Sequence, residues 1–250
     1  MKVVFSDYFF TEYTSDPASA PGRMEAIIDA LPEHVEIVEP MPATRAQILA
    51  AHTRSHVNDI ENQGLYDIAA LAAGAAIETA RIGLTEPAFG AIRPPGHHAS
   101  ADSAWGFCFF NNMAIAMLAL KGESLINTAL VLDIDLHYGD GTDNILEGES
   151  WVMTYNIANN TRDKYLYAVE QILSETSVDM IGISAGFDNH MKDWGGLLTT
   201  EDYHRIGQMT ARSAAANNGG CFAILEGGYN HAVLGLNAAA LINGLYKTDS

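Results

Sequence analysis

Short apolar runs alternate with longer stretches of helical periodicity along the chain. Seven runs predict strands: KVVFS, VEIVE, AFGAI, ALVLDID, WVMTYNI, DMIGISAG and CFAILEGG. Seven stretches between or after them predict helices: PGRMEAIIDAL, TRAQILAAH, LYDIAALAAGAAIETARIGL, FNNMAIAMLAL, RDKYLYAVEQILSE, TEDYHRIGQMTARSAAA and AVLGLNAAALINGLY. Several strand runs are apolar on both faces, as in a parallel sheet covered by helices. The alternation predicts an α/β fold, a single-domain open parallel sheet with helices on both faces.

Polar residues follow four of the predicted strands directly. AFGAI leads into RPPGHHAS, ALVLDID into LHYGDG, DMIGISAG into FDNH, and CFAILEGG into YNH. In open α/β sheets, ligands bind beyond the carboxyl ends of the strands. We therefore expect these four segments to form a site at one edge of the sheet.

The stretch LVLDIDLHYGDGT, residues 130–142, places acidic and imidazole side chains directly after a strand. If the chain stays extended through residue 137, Asp133, Asp135 and His137 share one face, because side chains alternate along a strand. Carboxylates this close repel one another unless a cation offsets them, which favours a bound metal. These ligand types indicate Zn²⁺ or another divalent first-row ion, and Asp188, after another strand, is the third predicted ligand.

Separate helix or turn caps are the alternative interpretation of these aspartates. Asp140 in GDGT can act as a cap by itself. Caps do not account for the adjacent His97 and His98 at another strand end, so the metal-site interpretation is favoured.

The composition is that of a folded chain with a large acidic excess. Of the 250 residues, 48% are apolar and 18% are charged, which predicts one domain over residues 1–250. Thirty-one acidic residues against 13 basic ones give a formal net charge of −18. Because phosphate binding needs basic patches, we expect no nucleic-acid partner. The charge can attract a cationic substrate, or it can simply keep the protein soluble or suit a salty habitat.

The sequence also bears on cellular location. Apolar stretches such as residues 68–77 are shorter than the roughly 20 residues that a membrane span requires. No small-residue cleavage site follows the N-terminal apolar run, so we expect a cytoplasmic protein without membrane contact. Cys108 and Cys221 lie in separate apolar segments and predict reduced core residues rather than a disulfide or metal framework.

Five motifs carry a family resemblance: RPPGHHA, GFCFFNN, DIDLHYGDGT, SAGFD and EGGYN. Together and in this order they resemble the histone deacetylase superfamily, which includes the bacterial acetylpolyamine amidohydrolases. The form RPPGHHA is closer to the class II and bacterial branch than to class I. The resemblance runs from about residue 20 to about residue 245 and implies the arginase-deacetylase α/β fold.

The resemblance assigns roles to the residues of these motifs. Asp135, His137 and Asp188 correspond to the zinc ligands, although Fe²⁺ also suits such a ligand set. The paired imidazoles beside the metal-bound water correspond to His97 and His98. Asp133 corresponds to the carboxylate that orients His97, and Asp140 to the one that orients His98. Tyr229 corresponds to the hydroxyl that polarises the substrate carbonyl.

Substrate and potassium contacts follow from the same resemblance. Phe107 corresponds to one aromatic wall of a substrate tunnel, and a core phenylalanine is the alternative; Gly106 and Gly228 are further candidate substrate contacts. The family binds potassium behind the zinc. The predicted potassium ligands are Asp133, Asn156, the Ile157 carbonyl, and the backbone carbonyls of Asp135 and His137.

These residues predict hydrolysis of an amide. Zinc lowers the pKa of bound water to about 7 and polarises a carbonyl. His98 is the predicted general base and then the acid for the leaving amine, and Tyr229 the oxyanion donor. The expected substrate is an acetylpolyamine, an acetyl-lysine or another small acylated amine. Two alternatives are a weakly active acyl-ligand binding protein that keeps the metal and a two-metal enzyme related to ureohydrolases.

The sequence departs from the family at the second tunnel wall. After TYNIANN the family continues through a long loop that supplies this wall, whereas this chain enters the predicted helix RDKYLYAVEQI almost at once. We therefore expect the wall to be missing or rebuilt and the cleft to be more open. The departure leaves substrate choice and oligomeric state undetermined.

Overall fold

Seven parallel strands form one sheet in the computed structural model, which describes residues 1–246. The strands are β1 Lys2–Val4, β2 Glu36–Val38, β3 Ala88–Gly90, β4 Ala129–Asp133, β5 Val152–Asn156, β6 Met180–Ala185 and β7 Gly220–Leu225. Their order is β2-β1-β3-β7-β6-β4-β5, and every neighbouring pair is parallel. The predicted α/β fold with a parallel sheet is confirmed.

Helices connect and cover the strands. They are α1 Arg23–Ile28, α2 Arg45–Leu49, α3 Arg54–Asn62, α4 Tyr66–Gly83, α5 Asn112–Gly122, α6 Asp140–Leu146, α7 Arg162–Glu175, α8 Thr200–Ala216 and α9 His231–Tyr246. Helix α4 packs against α5, and α9 packs against α8 and α1. Across residues 1–246, no helix has the length and apolar character that crossing a membrane would require.

Burial along the strands explains why the sequence reads as continuous apolar runs. Every residue of β3, β4 and β6 is buried, which requires helices on both faces of the sheet. Strand β5 is one of the two edge strands, and its residues alternate between half-buried and exposed positions. The ends of β3, β7, β6 and β4 consequently lie side by side in the middle of the sheet.

Strand β4 ends earlier than the sequence suggested. The chain does not stay extended through residue 137, because β4 stops at Asp133. The Asp133 carboxylate accepts the backbone N–H of Asp135 at 3.0 Å, so a local bond to a side chain replaces the sheet ladder there. The bend over residues 135–137, rather than strand alternation, sets the directions of the Asp135 and His137 side chains.

Two helices were not predicted. Helix α3 begins after Thr53, whose side chain accepts the backbone N–H of His56. Its apolar buried residues are only Val57 and Ile60, too few to give a helical period. Helix α6, DGTDNIL, is short and rich in residues of low helix propensity. Helix α3 depends on its cap, and α6, whose N-cap Gly139 makes no side-chain bond, depends on tertiary contacts, more than on pattern.

Close packing of α9 against α1 gives a stability prediction. A Cβ added at Gly235 would overlap the carbonyl oxygen of Ala26. We expect Gly235→Ala to lower the free energy of unfolding by about 1–3 kcal/mol, despite the good helix propensity of alanine. Urea unfolding of both proteins measures this. Gly122→Ala at the end of α5 is the control, since a Cβ there meets nothing within 4 Å; equal effects at both sites would contradict the packing argument.

Candidate functional site

Four loops meet at the carboxyl edge of the sheet. Asp135 follows β4, Asp188 follows β6, His97 follows β3, and Tyr229 follows β7. These four strands are neighbours in the sheet, so the structure brings the segments together as the strand-end rule predicts. The result is a polar cluster above an apolar core.

Asp135, His137 and Asp188 form a group with the spacing of metal ligands. The His137 Nδ1 atom lies 3.0 Å from Asp188 Oδ2 and 3.3 Å from Asp135 Oδ1. One ligand atom from each residue lies within 4.8 Å of the others. Tetrahedral zinc with bonds of about 2.0–2.2 Å separates its ligand atoms by roughly 3.3 Å. The three side chains can therefore hold a divalent metal ion.

The electrostatics of this group also fit a cation. Burial and the Asp135 carboxylate raise the pKa of Asp188 to about 6. Hydrogen bonds with Asp135 and Asp188 raise the pKa of His137 to about 10. Two buried carboxylates thus favour a positive charge on the imidazole between them, and a divalent cation bound to Nδ1 would supply that charge in place of the proton.

Backbone amides fix the two carboxylates. Gly227 N–H donates to Asp135 Oδ2 at 2.8 Å, and Leu136 N–H donates to Asp188 Oδ1 at 3.1 Å. A Cβ at Gly227 would lie 2.6 Å from the same Asp135 oxygen, so this position tolerates only glycine. The donors hold each carboxylate in place, which is the arrangement that surrounds metal ligands in general.

His97 and His98 each contact a carboxylate through Nδ1. His97 lies 3.0 Å from Asp133 Oδ2 and His98 lies 2.7 Å from Asp140 Oδ1, with the two rings 4.0 Å apart. Burial and the neighbouring His97 lower the pKa of His98 to about 4. Burial opposes protonation of His97, but Asp135 and Asp133 outweigh it and raise its pKa. His98 is therefore the neutral imidazole of the pair.

Glu226 holds the histidine loop and was missed from the sequence. Its Oε2 atom accepts the backbone N–H groups of Gly96 at 2.7 Å and His97 at 3.1 Å. The side chain is fully buried, and burial raises its pKa to about 7. The acidic residue in EGGYN, directly after a buried strand, was the available signal.

Tyr229 lies on the loop after β7, whose backbone is hydrogen-bonded to Asp193. Asp193 Oδ2 accepts the backbone N–H groups of Tyr229 and Asn230, both at 2.8 Å. Gly228 has a φ of 119°, a conformation that few residues other than glycine adopt. Burial raises the pKa of Tyr229 well above its usual value, so its hydroxyl stays protonated and can donate. The Arg23 guanidinium lies 5.6 Å from the ring centroid.

Aromatic rings surround this polar centre. Phe107 meets Tyr229 edge to face at 5.9 Å, from a backbone with φ of 69° that is rare outside glycine. Trp194 stacks on Tyr229 at 4.1 Å and meets the ring of His137 edge-on at 6.1 Å. Trp105 stacks on His98 at 3.8 Å. The loop after β6 thus brings an indole, Trp194, against both Tyr229 and His137.

Three further histidines bond to backbone groups of neighbouring segments. His190 accepts the Lys192 backbone N–H at 3.1 Å and has no bond to Asp188 among those found within residues 1–246. His52 and His56 are buried and contact backbone groups of the 100–111 segment.

Two of the predicted potassium ligands end the neighbouring strands β4 and β5. Asp133 and Asn156 are paired across the two strands. Asn156 Oδ1 accepts the Gly139 backbone N–H at 2.7 Å, and the Ile157 N–H donates to the Asp133 carbonyl at 3.3 Å. These oxygens already have protein donors, and potassium binding there stays a prediction.

Comparisons with known proteins agree with this fold. The family model "Histone deacetylase domain" matches residues 17–167 and 158–245. A probable deacetylase of Archaeoglobus fulgidus is 30% identical, over 87% of this chain and 74% of the relative. The polyamine deacetylase HDAC10 of Danio rerio is 26% identical, over 92% of this chain and 40% of the relative. The crystal structure of the HDA15 HD domain superposes with a TM-score of 0.86 at 25% identity, over 99% of this chain and 90% of that one.

The parallel sheet is that of the arginase-deacetylase class of α/β proteins. Within that class, the extent of the family match and the identity to the archaeal relative show that this chain belongs to the histone deacetylase family.

Proposed function

We propose that the protein is a zinc-dependent amidohydrolase that removes an acetyl or other small acyl group from an amine. The names of its relatives support acyl removal from amines. The observation that carries the proposal is the Asp135–His137–Asp188 group, with ligand spacing, next to the carboxylate-paired His98. Zinc bound there would lower the pKa of water to about 7 and polarise an amide carbonyl.

His98 is the general base of this proposal. Its Nδ1–H donates to Asp140, which leaves Nε2 as the unprotonated nitrogen. With a pKa lowered to about 4, it is neutral at physiological pH and can accept a proton from the attacking water. The same nitrogen then returns the proton to the leaving amine. His97, held by Asp133, lies beside it and stabilises the charge that develops.

Tyr229 acts on the carbonyl oxygen. Its protonated hydroxyl donates a hydrogen bond to the oxygen as negative charge develops there. Asp193 and the stacked Trp194 keep the Tyr229 loop in position before substrate arrives. Because these residues are held in advance, little reorganisation is needed during the reaction.

The proposal covers several kinds of acylated amine substrate. An acetylpolyamine, an acetyl-lysine side chain and another small acylated amine all carry a slender chain that suits Phe107 as a wall. The net charge of −18 favours a cationic substrate.

We propose that one catalytic domain covers residues 1–250, of which residues 247–250 lie outside the described structure. The buried, unpaired Cys108 and Cys221 suit the cytoplasm.

One metal per chain is favoured over a two-metal ureohydrolase-like site. Within residues 1–246, Asp135, His137 and Asp188 are the one set of three or more His, Cys, Asp or Glu residues with ligand spacing. The alternative of a weakly active acyl-binding protein predicts ligand binding without turnover.

Turnover of the zinc-loaded protein tests the proposal. The panel is N-acetylputrescine, N-acetylspermidine and an acetyl-lysine peptide, each also assayed after loading with Fe²⁺ and after chelation. We expect hydrolysis that a chelator abolishes and that zinc restores. Preference for the small amines would indicate a polyamine deacetylase, and preference for the peptide a protein deacetylase. No turnover on the three substrates with metal bound would contradict the proposal and favour the binding protein.

A further inference from the structure

Trp105 makes two contacts with the proposed base and its carboxylate. Its indole Nε1–H donates to Asp140 Oδ2 at 2.8 Å, and its ring stacks on His98 with centroids 3.8 Å apart and planes inclined by 29°. Asp140 uses its other oxygen, Oδ1, for His98. The three side chains thus form a closed triangle, in which Trp105 contacts both members of the His98–Asp140 pair.

The second histidine pair shows the same arrangement with another donor. Asp133 accepts His97 with Oδ2, and its remaining oxygen, Oδ1, accepts the Asp135 backbone N–H at 3.0 Å. In each pair, one carboxylate oxygen accepts a hydrogen bond from the imidazole, and the other accepts one from a fixed N–H group. The difference is burial: the Asp133 side chain is 4% exposed, whereas that of Asp140 is 44% exposed.

Exposure explains why Asp140 needs a side-chain donor. Water competes for a half-exposed carboxylate, and a carboxylate held through one oxygen can rotate about its own axis. The indole N–H engages the second oxygen and fixes the carboxylate plane, while the ring shields the bond to His98 from solvent. Hydrogen bonds from His98 and Trp105 oppose the effect of burial and keep the pKa of Asp140 below its usual value.

We propose that Trp105 is a positioning residue for the general base, which orients His98 through Asp140 and through its own ring. The inference rests on the proposed hydrolytic function of His98. Gly106 completes the arrangement, since its backbone leaves no room for a Cβ against the His98 ring. The imidazole is thereby confined by a ring, a carboxylate and a glycine backbone, with Nε2 free for chemistry.

The test distinguishes the contribution of the Trp105 N–H donor from that of the Trp105 ring. Trp105→Phe keeps an aromatic ring next to His98 and removes the donor; Trp105→Leu removes both. Trp151→Phe is the matched control, because Trp151 Nε1–H also donates to a partly exposed carboxylate, that of Glu149, at 2.6 Å. We expect Trp105→Phe to lower kcat about 10-fold, from loss of a bond to a charged group, with KM changed less than 2-fold. Trp105→Leu should lower kcat further, and the control should leave both unchanged.

A proton NMR measurement gives a readout that does not depend on turnover. The Nδ1–H of His98, bonded to Asp140, is expected at low field and is assigned by its loss in Asp140→Asn. Its resonance should shift in Trp105→Phe and stay in place in Trp151→Phe. An unshifted resonance, or kcat within 2-fold of the parent, would overturn the inference. A shifted resonance in a protein that turns over nothing would instead contradict the proposed function alone.

Discussion

Tyr229→Phe is expected to lower kcat by about 10²–10³, the usual effect of losing one donor to a developing oxyanion. The substitution removes only the hydroxyl, so stacking on Trp194 and the edge contact with Phe107 remain. KM should change little, because the donor acts mainly on charge that develops in the transition state. Steady-state kinetics on the best substrate of the panel provide the measurement.

Tyr167→Phe is the matched control for this prediction. Tyr167 lies on α7 with 63% of its surface exposed, and the same hydroxyl is removed far from the strand-end site. Both variants should unfold at the temperature of the parent. A fall in kcat of less than about 5-fold in Tyr229→Phe would show that this hydroxyl is not the oxyanion donor, since one such donor contributes far more.

The motif residues could be found from the sequence because they are local. Asp135, Asp188 and Tyr229 directly follow strands that are recognisable as apolar runs, and parallel strand ends meet at one edge of a sheet. The family resemblance added roles that spacing alone leaves open. The parallel sheet follows from the same runs, because strands buried on both faces contain little polar sequence.

The residues that hold the motifs were missed because long-range contacts define them. Glu226 bonds to Gly96, 130 positions away, and Trp105 bonds to Asp140, 35 positions away. No local period marks such a contact, and a tryptophan before GFCFF reads equally well as core. The early end of β4 was missed for a different reason: the Asp133 side chain accepts the N–H of Asp135, two residues on, and apolar alternation does not reveal such a local bond.

Asp188→Asn is expected to lose nearly all activity, and to be at least as stable as the parent without metal but less stable than the parent with metal bound. Without metal at pH 8, above the Asp188 pKa of about 6, burial and repulsion from Asp135 outweigh the attraction of the protonated His137 and disfavour the Asp188 carboxylate. The amide removes one charge, so the chelated variant should unfold at or above the temperature of the chelated parent. Its loss of a ligand should lower kcat at least 100-fold.

Zinc should stabilise the parent and not the variant. Binding to the folded state alone contributes about 4 kcal/mol when free metal is 1,000-fold above Kd. For a chain of this size that corresponds to roughly 8–16 °C in Tm. Calorimetry with and without zinc measures both effects, with Asp67→Asn, an exposed position on α4, as the control that should keep the full gain. An equal gain in Asp188→Asn would show that the metal binds elsewhere, because a site that loses one of three protein ligands and a full charge cannot keep its affinity.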